Sequence, residues 1–281
     1  MRGADRYGCG VTKLGGIQRK AITAAQPLLA RFTATGHIRW HRARVRPVPV
    51  AVYSVYRARN ASHLMHLVRS APAGSEFHFH ALDDVAPELR IYTESSGRGA
   101  RIPLLRALID ASAPAPGLDV MLIDDDAEFV RGSVGLFAGI ARIAALDIAQ
   151  PAHARASFGS FRSNQVDAPS TARLVRFIES GPVVLFARQA FDLLYPFPED
   201  IQMGWGIDVW WSALQNPALR LGVIDATPVI HHGEVGIEYS NDAEQKILDR
   251  YLAEAGIDSA HALDTNVGLT WRPWQIRPKW L

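Results

Sequence analysis

Three consecutive aspartates are the most chemically distinctive residues of this 281-residue sequence. Asp124, Asp125 and Asp126 directly follow four apolar residues, Val120–Ile123, which are typical of a buried strand. Carboxylates this close repel one another, and repulsion within about 4–6 Å raises the pKa of some of them. A Mg²⁺ or Mn²⁺ ion relieves this repulsion, because both ions prefer carboxylate oxygens and commonly hold substrate phosphates. The run therefore indicates a divalent-metal site, and a solvated acidic turn is the alternative.

Two further groups with suitable chemistry occur later in the chain. Asp208 follows segment 204–207, which contains two glycines. A histidine pair, His231 and His232, follows apolar residues 229–230. An imidazole nitrogen is compatible with Mn²⁺ or Mg²⁺ beside carboxylates, and such a metal can clamp a diphosphate and neutralise its charge as it leaves. An acid on a separate loop can act as general base on the incoming nucleophile. The alternatives are that Asp208 caps a helix and that the histidines are hydrogen-bonded polar residues under a loop.

Alternating strands and helices are predicted to position these groups. We predict strands over residues 48–56, 76–82, 120–123, 174–180, 182–187, 221–225 and 228–230, with a further strand starting at 148–151. We predict helices over residues 61–70, 97–112, 133–146, 188–194 and 208–215. The pattern indicates an α/β protein, in which ligands bind at the carboxyl ends of strands.

Composition and charge limit the other possibilities. The sequence is 48% hydrophobic and 21% charged, and it has no apolar run of the roughly 18 residues that a membrane span needs. The single cysteine, Cys9, excludes an internal disulfide and a cysteine-based zinc site, and no secretory signal pattern is visible, so we expect a cytoplasmic protein.

Residues 1–46 contain ten of the 30 Lys and Arg but only one of the 28 Asp and Glu. This basic N-terminal extension is either solvated or in peripheral contact with an anionic surface such as a membrane, and since no nucleic-acid module accompanies it, nucleic acid is not expected.

The ordered set of motifs resembles the GT-A type of nucleotide-sugar glycosyltransferase. Val120–Asp126 looks like the strand and DxD motif of that family, and Gly204–Asp208 is similar to the Gly-Trp-Gly-x-acid loop of its galactosyltransferase-like members. Val229–Gly233 resembles the late strand whose histidine completes the metal site, and strands 48–56 and 77–84 fit the two nucleotide-binding strands. The resemblance implies a Rossmann-like α/β fold with a mixed, mostly parallel sheet flanked by helices. It also implies a single catalytic domain over residues 47–281, with a nucleotide-binding half (47–127) and an acceptor-binding half (128–281).

The resemblance further implies roles for the acidic run and the histidines. Asp126 would be a direct metal ligand, and Asp124 would contact the ribose or reach the metal through water. Asp125 is grouped with the nucleotide-binding residues and would point away from the metal. His231 is favoured as the nitrogen ligand because it follows the apolar strand directly, and His232 is the alternative.

Five further residues would hold the nucleotide sugar, again as the resemblance implies. Ser54, Arg57, Asp83 and Asp84 would lie near the base and ribose. Arg101 would face the diphosphate, since it stands at the glycine-rich start of a predicted helix, where backbone N–H groups favour anions. A solvated surface position is the alternative for Arg101.

The implied activity is metal-dependent transfer of a sugar, of the hexosyl type. A UDP- or GDP-linked sugar would be the donor, Mn²⁺ or Mg²⁺ the cofactor, and a hydroxyl of a carbohydrate or other molecule the acceptor. Asp208 would be the catalytic base of an inverting reaction. Two other functions remain open: nucleotidyl transfer at a similar metal–nucleotide site, and non-catalytic binding of a carbohydrate or nucleotide.

Overall fold

The structure is a computed structural model that describes residues 44–155, 157, 161–167, 170–215, 218–233 and 241–281. The basic extension of residues 1–46 lies almost entirely outside these ranges, so its boundary and its role stay predictions. In the described part of the chain, no helix is both long and apolar enough to cross a membrane.

Strands and helices alternate along the described chain. The strands are β1 (Val50–Tyr56), β2 (Glu76–Ala81), β3 (Thr93–Ser96), β4 (Asp119–Ile123), β5 (Ala127–Phe129), β6 (Ile148–His153), β7 (Ala172–Val175), β8 (Val183–Phe186), β9 (Leu221–His231) and β10 (Asn266–Trp271). The helices are α1 (Ala61–Ser70), α2 (Arg101–Ala111), α3 (Val134–Ile143), α4 (Arg188–Leu194), α5 (Ile207–Val209), which continues as a π-helix over Trp210–Gln215, and α6 (Asn241–Glu254). Short 3₁₀ segments cover Ala58–Asn60, Pro87–Tyr92, Arg162–Asn164 and Ala260–Leu263.

The described strands form one mixed sheet in the order β10-β7-β9-β6-β8-β4-β1-β2-β3, and β5 pairs with β9. Strands β3, β2, β1 and β4 are mutually parallel, and β6 is parallel to β9. Strand β8 runs antiparallel to both β4 and β6. The predicted fold class, a single α/β domain with a mixed sheet flanked by helices, is confirmed.

Both faces of the sheet are covered by helices. On one face Val52 and Met121 pack with apolar residues of α1 and α3. On the other face Tyr53 and Leu122 pack with apolar residues of α2, α4, α6 and the π-helix. A strand buried on both faces has a nearly continuous apolar sequence, which is why β1 and β4 were recognisable.

Two predicted strands at 221–225 and 228–230 are one continuous strand, β9. Proline has no N–H to donate, so a proline inside a run argues against a strand. Here the carbonyl of Pro228 accepts a hydrogen bond from Val130 N at 3.0 Å, and the register between β6 and β9 shifts between Pro151 and His153, the latter paired with Val229. The irregularity accommodates the missing donor, and the strand continues to His231.

Candidate metal and nucleotide site

A tight turn between β4 and β5 holds the three aspartates. The turn is closed by a hydrogen bond from Ala127 N to the carbonyl of Asp124, at 3.2 Å. Strand β5 then pairs antiparallel with the end of β9, so that Ala127 lies opposite His231. This pairing brings the histidine segment, about 100 residues later in the chain, beside the acidic turn.

Asp126 and His231 form the centre of the site. His231 Nε2 lies 3.1 Å from Asp126 Oδ1, and both side chains are less than one-fifth exposed. Burial alone would lower the pKa of His231, but the hydrogen bond with Asp126 and the charges of Asp124, Asp126 and Glu179 outweigh it and raise that pKa. Burial would likewise raise the pKa of Asp126, but the hydrogen bond and charge of His231 and the N–H of Gly233 lower it. In the metal-free protein each partner therefore favours the charged form of the other.

The spacing of this pair fits two ligands of one octahedral cation. Adjacent ligands at about 2.1 Å from Mg²⁺ are about 3 Å apart, close to the observed 3.1 Å between Asp126 Oδ1 and His231 Nε2. Asp124 Oδ2 lies farther away, 3.9 Å from His231 Nε2. Of the two candidate histidines, His231 is the one that faces these carboxylates.

Arg101 fixes the orientation of Asp124. Its Nε donates to Asp124 Oδ1 at 2.7 Å, and its Nη2 donates to the carbonyl of Ser180 at 3.1 Å. A Cβ on Gly181 would lie 2.6 Å from Asp124 Oδ2, so only glycine leaves that oxygen in place. Arg101 was expected to face a diphosphate. It lies at the start of α2 and contributes a positive charge directly beside the carboxylates, while its contact with phosphate stays a prediction.

Asp125 turns away from His231 toward the loop after β1. Its Oδ2 accepts a hydrogen bond from Arg57 N at 2.7 Å, and Asn60 also bonds to it. Burial and the neighbouring charge of Asp126 raise the pKa of Asp125 to about 6, despite these hydrogen bonds. Asp83 Oδ1 accepts from Ala58 N at 2.8 Å. Two carboxylates from different strand ends thus hold the loop that the resemblance assigns to nucleotide binding.

The other two residues expected near the base and ribose differ in exposure. Asp84 is exposed at the end of β2, beside Asp83. Ser54 is completely buried within β1, on the same face as Val52 and Tyr56. Among the described residues, no group forms a hydrogen bond with Ser54 Oγ.

The glycines of the Gly-Trp-Gly segment allow the loop to approach the site closely. Gly204 and Gly206 have φ values of +117° and +91°, which favour glycine. A Cβ on Gly204 would lie 2.9 Å from Ser180 Oγ and 3.5 Å from Arg101 Nη1, so this loop packs against the residues that hold Asp124. Asp208 is the second residue of α5, the helix that follows, and it is 3% exposed. Its Oδ1 accepts a hydrogen bond from Val209 N at 2.9 Å, so Asp208 satisfies a backbone donor of the first helical turn.

Sequence reasoning missed two carboxylates near this site. Glu244, on α6, is buried, and its carboxylate accepts hydrogen bonds from the N–H groups of Met203, at 3.2 Å, and Trp205. Glu179 accepts from Asn164 Nδ2 at 2.9 Å, and its charge contributes to the raised pKa of His231. Neither residue belongs to a local motif, because each acts on a segment that is distant in sequence.

No protein-family model matches this sequence, and no curated protein matches it significantly in sequence.

The fold is similar to that of GalNAc-T7, solved with UDP, GalNAc and Mn²⁺, with a TM-score of 0.50 and 14% identity over 74% of this chain and 48% of that protein. The chain thus spans about half the length of GalNAc-T7. A fragment of Staphylococcus aureus TarS with UDP-GlcNAc aligns with a TM-score of 0.47 and 11% identity over 76% of this chain and 69% of that one. The inositol-1-phosphate CTP transferase of Thermotoga maritima aligns with a TM-score of 0.39 and 9% identity over 74% and 98%. The similarity to GalNAc-T7 shows that the chain has the fold of the GT-A glycosyltransferases.

Proposed function

We propose that this protein is a divalent-metal-dependent glycosyltransferase that uses a nucleoside-diphosphate sugar. The observation that carries this proposal is the Asp126–His231 pair, 3.1 Å apart, at adjoining strand ends of a GT-A fold with Asp124 beside it. Carboxylate oxygens with one imidazole suit Mn²⁺ or Mg²⁺. The Mn²⁺ and UDP in the GalNAc-T7 structure agree with that choice of cofactor and with a UDP-sugar donor, and a GDP-sugar is the other candidate.

The proposed donor site extends from the acidic turn to the loop after β1. Asp126 and His231 would hold the metal directly, and Asp124, held by Arg101, would contact the ribose or reach the metal through water. Arg57 and Asp83 lie on the loop and strand end that would face the base and ribose, with Asp84 beside them and Ser54 beneath. The chemistry that a metal would supply here is positive charge beside the diphosphate.

Asp208 is the proposed general base. It takes the proton of an acceptor hydroxyl as that oxygen attacks the anomeric carbon, and the bond from that carbon to the diphosphate oxygen breaks, with inversion of configuration. The loop that carries Asp208 packs on Ser180 and Arg101, next to the proposed position of the diphosphate. Because Asp208 also accepts a hydrogen bond from Val209 N, the variant Asp208→Asn keeps an acceptor oxygen there and removes only the basic carboxylate.

A donor screen tests the proposal. UDP- and GDP-sugars are incubated with the full chain with and without Mn²⁺, and release of the nucleoside diphosphate is measured. We expect metal-dependent release that Asp126→Asn reduces at least a hundredfold. We also expect Asp208→Asn to keep donor binding while losing transfer to an acceptor. For an active donor–acceptor pair, NMR of the product anomer reports inversion.

Two outcomes would replace the proposal. Release of pyrophosphate from a nucleoside triphosphate and a sugar phosphate would make the protein a nucleotidyltransferase. Metal-dependent thermal stabilisation by a nucleotide sugar, with no turnover of any donor, would make it a non-catalytic binding protein.

A further inference from the structure

Three side chains of metal-ligating types lie together beside the β5–β9 pair, outside the proposed donor site. They are His63 on α1, Glu128 on β5 and His232, directly after β9. One ligand atom from each lies within 4.8 Å of the other two. We propose that His63, Glu128 and His232 form a second metal site, which takes a nitrogen-preferring transition-metal ion such as Zn²⁺ or Ni²⁺.

The three side chains already contact one another, and binding one ion would bring their ligand atoms closer together. His232 Nε2 lies 3.0 Å from Glu128 Oε2, and the rings of His63 and His232 stack with centroids 5.0 Å apart. Ligand atoms of tetrahedral Zn²⁺, with bonds of about 2.0–2.1 Å, are about 3.4 Å apart. The ligand atoms of the three side chains, now within 4.8 Å of one another, therefore have to approach by about 1.4 Å at most. All three side chains have partial solvent access, so rotation of the His63 side chain supplies this movement without disturbing the core.

The backbone that carries these residues is well anchored. Strand β5 is paired with β9, where Glu128 lies opposite Ile230, and His232 N donates to the carbonyl of Asp126 at 3.1 Å. Helix α1 packs against β5 and is held in the core by its buried residues Ala61, Leu64 and Leu67. A site built on three ordered elements loses little conformational freedom when a metal binds.

The donor set distinguishes this site from the one at Asp126 and His231. Two imidazoles and one carboxylate favour Zn²⁺, Ni²⁺ or Cu²⁺, whereas a carboxylate-rich site suits Mg²⁺ or Mn²⁺. His231 and His232 are neighbours in sequence, but His231 faces Asp126 and His232 faces Glu128. The proposal is independent of the glycosyltransferase activity. An ion here would connect α1 to the β5–β9 pair and stabilise the folded chain.

Calorimetric titration of the full chain with Zn²⁺ tests this site. The protein carries no polyhistidine tag, is stripped with chelator and is held in excess Mg²⁺ to occupy the carboxylate-rich site. We expect one Zn²⁺ to bind wild type, and His63→Ala to weaken binding at least tenfold. His66 is exposed one turn farther along α1, so His66→Ala is a matched control that should bind Zn²⁺ as wild type does.

Two comparisons make the test decisive. Asp126→Asn should keep the Zn²⁺ affinity of wild type, whereas Glu128→Gln should lose that affinity. Because Glu128→Gln is nearly isosteric and lies at an exposed position, it tests the site even if His63→Ala folds poorly. Equal Zn²⁺ affinity in wild type and Glu128→Gln would overturn the proposal. Loss of Zn²⁺ binding in Asp126→Asn alone would also overturn it, because the ion would then occupy the other site.

Discussion

The buried carboxylate of Glu244 offers a quantitative test of how the Gly-Trp-Gly loop is positioned. It accepts hydrogen bonds from two backbone donors, Met203 N and Trp205 N. In Glu244→Ala both donors lose their acceptor in a site where residue 244 is only 3% exposed. Each unsatisfied buried donor costs about 1–3 kcal/mol, and partial access of water to a truncated site favours the lower half of that range. We therefore expect the free energy of unfolding to fall by about 2–4 kcal/mol.

Urea denaturation of wild type, Glu244→Ala and Glu244→Gln measures this effect. The amide oxygen of glutamine still accepts a hydrogen bond, so Glu244→Gln should lose no more than about 1 kcal/mol. Asp242, in the same turn of α6 but exposed, provides a control, and Asp242→Asn should change stability by less than about 1 kcal/mol. If Glu244→Ala and Asp242→Asn have equal stability, Glu244 does not hold the loop. A transfer rate lowered by Glu244→Ala and restored by Glu244→Gln would indicate that loop position matters for the proposed chemistry.

Four further predictions concern the acidic turn and its neighbours, and their stability measurements use metal-free protein. A Cβ at Gly181 would lie 2.6 Å from Asp124 Oδ2, so Gly181→Ala should displace that carboxylate. The free energy of unfolding measured in urea should fall by about 1–3 kcal/mol, and Mn²⁺ should bind more weakly. Unchanged Mn²⁺ affinity would contradict this prediction. Because the pKa of His231 is raised above 6.5, its contribution to stability is complete below pH 6.5 and is lost as pH rises through the raised pKa. In thermal melts, the Tm of wild type should fall over this pH range, and the Tm of His231→Gln should not show that fall. The pKa of Asp126 is lowered from 3.8, so its contribution is present above pH 3.8 and is lost only as pH falls below that value. The pKa of Asp125 is raised from 3.8 to about 6, so stability should fall as pH rises across that interval, and Asp125→Asn should melt above wild type at pH 7.5 but not at pH 4.

The elements that could be predicted from sequence are those whose pattern is local. Strands β1 and β4 have apolar runs, and helices α1 and α4 begin and end at the predicted residues. Strand β5 has only three residues and forms because β9, about 100 residues later, pairs with it. Strand β10 lies at the edge of the sheet with most of its residues exposed, so it lacks the alternation that identifies a half-buried strand.

The candidate site divides in the same way. Asp124, Asp126 and His231 stand out as candidates in the sequence because each lies at or just after the end of an apolar strand, where ligands of α/β sheets bind. Sequence favoured His231 but left His232 as the alternative, because the contacts that distinguish them depend on which carboxylate each imidazole meets across the β5–β9 pair. Glu179 and Glu244 were not identifiable, since their roles depend on contacts between distant segments.

The change from parallel to antiparallel pairing explains why the site lies at the end of β4. Strand β4 is parallel to β1 on one side and antiparallel to β8 on the other. A parallel neighbour ends beside the end of β4, whereas an antiparallel neighbour begins there, so β4 meets the loop after β1 on one side and the segment entering β8 on the other. Asp125 accordingly bonds to Arg57 after β1, and Asp124 N donates to the carbonyl of Pro182 just before β8. A sheet that was parallel throughout would not bring the start of a strand, with Glu179 and Ser180 preceding it, to the same place. The mixed sheet therefore provides the extra carboxylate and the anchor for Arg101 around an acidic turn that has no such partners in its own sequence.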